Sequence, residues 1–176
     1  MVAAEPFVLV FRFLHIVSGV LWVGSSFLFV AFIGPSAQEA GSSALPVLTA
    51  AVKKRKAAKV ITGLGLTTVI AGWVLWLRNM SLYDSIGAWV GSSFGVALTI
   101  GGVLATISAA VGFSGVALNV ERLVDLGNEV SSSGGSPSAE QQARIDELSS
   151  ALERHGKTDL VLLILAAAAM ATARYW

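Results

Sequence analysis

The feature that most constrains this chain is an uncharged stretch near its start, FLHIVSGVLWVGSSFLFVAFI at residues 13–33. A helix rises about 1.5 Å per residue, so roughly 20 apolar residues match the hydrocarbon core of a bilayer, which is about 30 Å thick. Three further apolar stretches follow. The four predicted spans are residues 8–33, 57–77, 88–118 and 158–175. The sequence therefore predicts a single transmembrane domain over residues 1–176, an all-α integral membrane four-helix bundle.

The composition agrees with this class. Of the 176 residues, 55% are hydrophobic and 13% are charged, whereas about a quarter of the residues of a soluble domain are charged. The sequence has no cysteine, which excludes disulfides, thiolate metal sites, iron–sulfur clusters and covalently attached c-type haem. The net charge of +1 gives no indication of nucleic-acid binding. The amino terminus, MVAAEPF, carries no Lys or Arg, and the apolar run is longer than the h-region of a signal peptide, so we expect a retained first helix rather than a cleaved leader.

The basic residues predict the orientation, because cytoplasmic loops are enriched in Lys and Arg. Three basic residues belong to the side of the termini and the second loop: Arg12, Arg78 and Arg174. The other nine belong to the first and third loops: Lys53, Lys54, Arg55, Lys56, Lys59, Arg122, Arg144, Arg154 and Lys157. This asymmetry predicts a multi-pass protein of the bacterial inner (cytoplasmic) membrane with both termini outside.

The third loop, residues 119–157, carries the linker SSSGGSPS at residues 131–138 between two helical patterns. Ser138 and Gln141 have the spacing of a capping box, and apolar residues then repeat at helical spacing. We predict a cytoplasmic helical hairpin between helices 3 and 4. It either covers its own apolar stripe or docks a partner.

Small residues mark faces of the second and third spans. The glycines concerned are Gly65 and Gly72, and Gly87, Gly91 and Gly95 at four-residue spacing. Helices in lipid associate through such faces, since lipid provides no hydrophobic drive between them. The pattern indicates tight packing within the bundle or self-association through one face.

His15, Gly19 and Trp22 lie at positions i, i+4 and i+7 of the first span, so they share one helix face. An ionisable residue inside a membrane is costly and usually faces the bundle interior. An imidazole beside a glycine offers an axial ligand together with room for a flat macrocycle, which is what a b-type haem needs. The alternative is that His15 and Trp22 only hydrogen-bond and pack.

Met170 in the fourth span is the predicted second axial ligand, because it lies at a depth similar to that of His15. His155, the other histidine, belongs to the opposite membrane side and is too far away to share an iron. A five-coordinate haem, or a ligand from a partner chain, stays open. Arg12 either pairs with a haem propionate or extends to lipid headgroups. The predicted cofactor-binding residues are His15, Gly19, Trp22, Met170 and Arg12, with His15 and Met170 as metal ligands and no catalytic residue.

We expect the carboxyl groups of Asp159 and Glu121 at the membrane edges, in contact with water. That placement leaves no carboxylate within a span to relay protons or to coordinate an ion.

The segment FRFLHIVSGVLWVGSSFLFVAFIGP at residues 11–35 resembles the first helix of a superfamily of small membrane proteins. The superfamily includes copper-resistance D-like proteins, the amino-terminal membrane domain of membrane-bound urate oxidase and HemJ-like protoporphyrinogen oxidases. The matching residues are His15, Trp22, Gly24 and Ser25. The ending LVLLILAAAAMATARYW resembles the final helix of four-helix members. The resemblance implies a four-span fold and, from the HemJ-like branch, haem b at His15. After the first helix that branch carries a Pro-Arg and a second His, where this chain has Gly34, Pro35 and Ser36.

Together these features predict a membrane protein that binds b-type haem and takes part in electron transfer or redox chemistry within a larger complex. The alternative is a non-catalytic structural or assembly subunit of such a complex. The expected partners are the lipid bilayer and other membrane subunits or a second copy of the chain. Whether the protein is an enzyme stays open.

Overall fold

The computed structural model describes residues 5–175, and within this range the chain is helical without strands. Four helical segments in that range are long and apolar enough to cross a membrane. They are Pro6–Lys54, Ala57–Met80, Ser93–Ser132 and Ala139–Tyr175. The prediction of an all-α, multi-pass membrane protein is confirmed. The sidedness and the identity of the membrane stay predictions.

The first segment is longer than the predicted span, which ended at residue 33. Its parts are α1 (Pro6–Leu28), a π-helical turn (Phe29–Ile33), α2 (Gly34–Ala40), a 3-10 turn (Gly41–Ala44), α3 (Leu45–Thr49) and a second π-helical turn (Ala50–Lys54). Pro35 and Pro46 each lie in the first turn of a short helix, where a missing N–H costs nothing. The prolines therefore do not end the helical path.

The second and third segments are joined by a short turn. Helix α4 covers Ala57–Met80, and α5 covers Ile86–Gly91. The extended backbone of Ser92 separates α5 from α6 (Ser93–Val111), and its hydroxyl accepts a hydrogen bond from the N–H of Gly95. Beyond α6 the helix continues through a third π-helical turn (Gly112–Ala117) into α7 (Leu118–Ser132).

The last segment is α8 (Ala139–Thr172), followed by a 3-10 turn at Ala173–Tyr175. The predicted capping box is confirmed: Ser138 and Gln141 exchange side-chain to backbone hydrogen bonds at the start of α8. The two arms of the predicted hairpin at residues 119–157 are helical, continue the third and fourth spans, and pack against each other through α7 and α8. The cytoplasmic position of this hairpin stays a prediction.

The helices form a closed ring. Helix α1 packs against α4, α6 packs against α8, and α4–α6 and α1–α8 contacts complete it. We call the end where α1 begins and α8 finishes the terminal end, and the opposite end the loop end. An ion pair between Arg78 and Glu5 (2.9 Å) joins α4 to the start of α1, and one between Lys53 and Asp125 (2.8 Å) lies at the loop end.

Indole groups join α4 to α6 in the terminal half. Trp73 Nε1 donates to Thr106 Oγ1 at 3.0 Å, and Trp76 Nε1 donates to Thr99 Oγ1 at 2.8 Å. The ring of Trp89, fully buried, packs edge-on against that of Trp76 at 6.0 Å between centroids. Aromatic residues thus cluster at the terminal end, as expected for a membrane interface.

Several glycines allow large side chains to approach, as tight packing requires. A Cβ on Gly65 would lie 2.9 Å from the Trp22 ring, and one on Gly101 would lie 2.8 Å from Met170 Cγ. In the series with four-residue spacing, a Cβ on Gly95 would clash with the carbonyl group of Trp89, in the turn just before it, whereas one on Gly91 would meet nothing within 4 Å. The close contact at Gly95 is therefore made within the α5–α6 turn and not with another span.

Replacing Gly65 with Ala should lower the thermal stability of the protein in mild detergent. The new methyl group would overlap the buried indole of Trp22, and such overpacking costs about 1–3 kcal/mol. The matched control is Gly63→Ala on the same helix, where a Cβ meets nothing within 4 Å. Equal melting temperatures for the two variants would contradict this packing.

Candidate functional site

The predicted site residues of the first span face α4. His15 Nδ1 donates to the carbonyl oxygen of Thr68 at 2.8 Å, and the ring lies against Gly72, where a Cβ would come within 2.8 Å of Cε1. A carbonyl oxygen can only accept, so Nδ1 carries the proton. In the neutral ring, Nε2 therefore keeps the lone pair.

The space beside Gly19 is filled by protein. A Cβ on Gly19 would lie 3.3 Å from Thr68 Cγ2, and the Ser18 hydroxyl is 2.8 Å from Thr68 Oγ1. Trp22 is 4% exposed and packs against Gly65. His15, Gly19 and Trp22 thus share one face, but α4 occupies the space beside Gly19 in which a macrocycle was expected.

The remaining predicted ligands lie elsewhere. Met170 packs against Gly101 at the α6–α8 interface, and Arg12 is exposed. Within residues 5–175, no cluster of three His, Cys, Asp or Glu residues could hold a metal ion. His15 and Met170 therefore lie at different helix interfaces, α1–α4 and α6–α8. Haem ligation stays a prediction.

A cavity of about 600 Å³ lies in the other half of the bundle, between Trp22 and the loop end. All three π-helical turns contribute to its wall. Their contributions include Phe29, Ile33, Ala51, Val52, Phe113 and Val116. A π-helical turn is rare, occurs mainly as a single-turn insertion and is frequent at functional sites. The meeting of three such turns at one cavity marks it as the candidate functional site.

Asp159 of α8 lines this cavity and is 4% exposed. Ser26 Oγ of α1 donates to Asp159 Oδ2 at 3.1 Å, and Ser108 Oγ of α6 donates to Oδ1. A Cβ on Gly112 would lie 3.4 Å from Oδ1, so the third π-helical turn also touches the carboxyl group. Three helices and a π-helical turn therefore surround one acidic side chain.

The expectation that Asp159 contacts water was wrong. Helix α8 continues past this residue without a break, and the side chain faces α1 and α6 instead of the membrane edge. A signal was present in the sequence: hydroxyl residues Ser26 and Ser108 lie near the same ends of their spans as Asp159 does of its own.

The rest of the wall is almost entirely apolar. Apart from Asp159, its polar side chains in the described part of the chain are those of Ser25, Ser26 and Thr62. Small-molecule sites are commonly about 300–1,000 Å³, mostly apolar, with a few polar groups that orient the ligand. The cavity has this character.

The cavity also reaches the lipid-facing surface. Three of its lining residues, Leu28, Leu66 and Phe113, are 53%, 56% and 55% exposed. An apolar molecule dissolved in the bilayer can therefore approach it from the side, without crossing the polar ends of the bundle.

Comparisons with protein-family models, curated proteins and solved structures found no match to this chain.

Substituting Ser108 with Ala should destabilise the protein by about 1–3 kcal/mol, because the buried carboxyl group of Asp159 would lose a donor. Chemical unfolding in detergent measures the change. The control is Ser114→Ala, since the exposed Ser114 donates only to the Ala110 carbonyl of its own helix.

The losses of stability caused by Ser26→Ala and by Ser108→Ala should not add up in the double variant, because both hydroxyl groups donate to one carboxyl group. If the two losses of stability add up in the double variant, the two serines do not share one site.

Proposed function

We propose that this integral membrane protein binds a lipophilic small molecule in the cavity between Trp22 and the loop end. The observation that carries the proposal is the conjunction, at one cavity of about 600 Å³, of three π-helical turns and a buried carboxyl group. Burying a carboxyl group is costly, and polar groups inside a membrane are usually functional.

The lining residues assign roles to the parts of the ligand. Its apolar body contacts aliphatic and aromatic side chains such as Phe29, Ile61 and Phe113. Its polar group lies at Asp159, whose carboxyl group is held in place by Ser26 and Ser108. The indole of Trp22 closes the cavity toward the terminal half. Binding, rather than a chemical reaction, is what this set of side chains supports.

A fluorescent probe tests this function. With the protein in phosphatidylcholine nanodiscs, 1-pyrenemethanol should accept excitation energy from tryptophan, with empty nanodiscs as the background. Ala109 lines the cavity, and Ala109→Leu should weaken binding by about tenfold, since filling the space costs at least about 1.4 kcal/mol. The control is Ala167→Leu at an exposed position of α8.

Equal affinities for the two leucine variants, or no transfer above that of empty nanodiscs, would overturn the proposal. The Trp22→Phe variant identifies the donor, because Trp22 is the tryptophan at the cavity wall. Energy transfer should fall more in this variant than in Trp73→Phe, which removes an indole from the terminal half.

A second candidate function is haem b binding at His15, with electron transfer or redox chemistry in a larger complex. It is favoured by the hydrogen bond from Nδ1 to the Thr68 carbonyl, since metal-ligating histidines commonly donate the other ring N–H to such a group. Nε2 would be the ligand atom, and Arg12 is near enough in sequence to pair with a propionate. Haem, when bound, would supply one-electron chemistry.

An absorption spectrum of protein purified with haem supply tests this candidate. We expect a Soret band that His15→Ala abolishes, because the substitution removes the ligand nitrogen. The control is His155→Ala, since the His155 ring packs against Gly115 at the other end of the bundle. A colourless wild-type protein, or equal loss in both variants, contradicts haem binding at His15.

A further inference from the structure

We infer that the ligand of the cavity is a lipophilic amine, whose cationic nitrogen pairs with Asp159 while its apolar body fills the cavity. This inference rests on the proposed function and specifies the chemical class of the ligand.

The charge balance of the cavity wall indicates a cationic ligand. Among the described lining residues, Asp159 is the one ionisable side chain. None of the ion pairs found within residues 5–175 includes it. The lysine nearest in sequence, Lys157, pairs with Glu153 at 2.5 Å on the exposed side of α8. A buried carboxylate is usually paired with a cation, and none of the described residues provides one here.

The hydrogen-bonding capacity of the carboxyl group favours a ligand that donates hydrogen bonds. An ionised carboxylate offers about four acceptor sites. Ser26 occupies one on Oδ2 and Ser108 occupies one on Oδ1, so each oxygen keeps capacity for a further donor. An ammonium group supplies both the N–H donors and the positive charge. A neutral alcohol supplies only a donor, and an anionic group would repel the carboxylate.

The position of the cavity opening favours a ligand that dissolves in lipid. The exposed lining residues Leu66 and Phe113 face the hydrocarbon region, so the ligand has to be soluble in lipid. The serine hydroxyls hold the carboxylate in place before the ligand arrives, which reduces the entropic cost of binding. An amine that carries a large apolar ring system or chain meets both requirements, whereas a small hydrophilic cation does not.

Three probes that share one ring system test the inference. They are 1-pyrenemethylamine, 1-pyrenemethanol and 1-pyrenecarboxylic acid, measured by energy transfer from tryptophan in phosphatidylcholine nanodiscs at neutral pH. Empty nanodiscs correct for partition into lipid. In the wild-type protein the amine should bind at least about tenfold more tightly than the alcohol, and the acid should bind most weakly.

Asp159→Asn should reduce the affinity for the amine to about that for the alcohol, since the amide keeps an acceptor but loses the charge. The control is Asp146→Asn, which neutralises an exposed aspartate on the same helix. Tighter binding of the amine that only Asp159→Asn abolishes supports the inference. If Asp159→Asn does not fold, the ratio of amine to alcohol affinity in the wild-type protein decides.

The outcomes separate the two proposals. If the amine and the alcohol bind with equal affinity, and Ala109→Leu weakens both, the inference of an amine ligand is overturned. The proposed function, a cavity that binds lipophilic molecules, would then still hold. The absence of binding by all three probes would overturn the proposed function and the inference with it.

Discussion

A carboxyl group inside a membrane bundle has to find its hydrogen-bond donors on the protein, because the hydrocarbon offers none. Asp159 of α8 finds them on α1 and α6, in Ser26 and Ser108. These bonds tie three helices together at one depth. Glycine makes the approach possible: a Cβ on Gly156 would lie 3.2 Å from Val30 Cγ2, so α8 comes close to the π-helical turn after α1, one turn from the carboxyl group. The arrangement fixes the helix positions around a space that the described side chains leave open.

The two halves of the bundle are built differently, and this difference locates the cavity. In the terminal half, α4 presents large rings that reach across to α6, as Trp76 does to Thr99. In the loop half the wall residues of α4 include Ala57 and Ala58, which are too short to bridge the same distance. A π-helical turn accommodates an extra residue and shifts the following side chains around the helix. The third such turn, Gly112–Ala117, begins where the indole contacts with α6 have ended, so the space left by the small residues remains open.

Hydropathy predicted the four spans, and local spacing predicted the capping box at Ser138, because both depend on residues close together in sequence. The surroundings of Asp159 could not be predicted in this way. Its two donors are 133 and 51 residues distant along the chain, and only the packing of the bundle brings them together. The π-helical turns likewise leave no clear compositional signal. For the face of His15, the sequence indicated which residues point the same way but not that Thr68 fills the gap beside them.

His15 and Trp22 belong to one helix face but not to one site. Seven residues of helix separate their Cα atoms by about 10 Å along the axis. His15 contacts Thr68 and Gly72, whereas the indole of Trp22 contacts Gly65, which also lines the cavity. Both side chains fit against α4: His15 meets the Thr68 carbonyl and Gly72, and Trp22 meets Gly65. The indole, fixed by Gly65, forms the boundary between the closely packed terminal half and the open loop half. The boundary of the cavity thus depends on the tight α1–α4 interface, although most of the cavity lies beyond it.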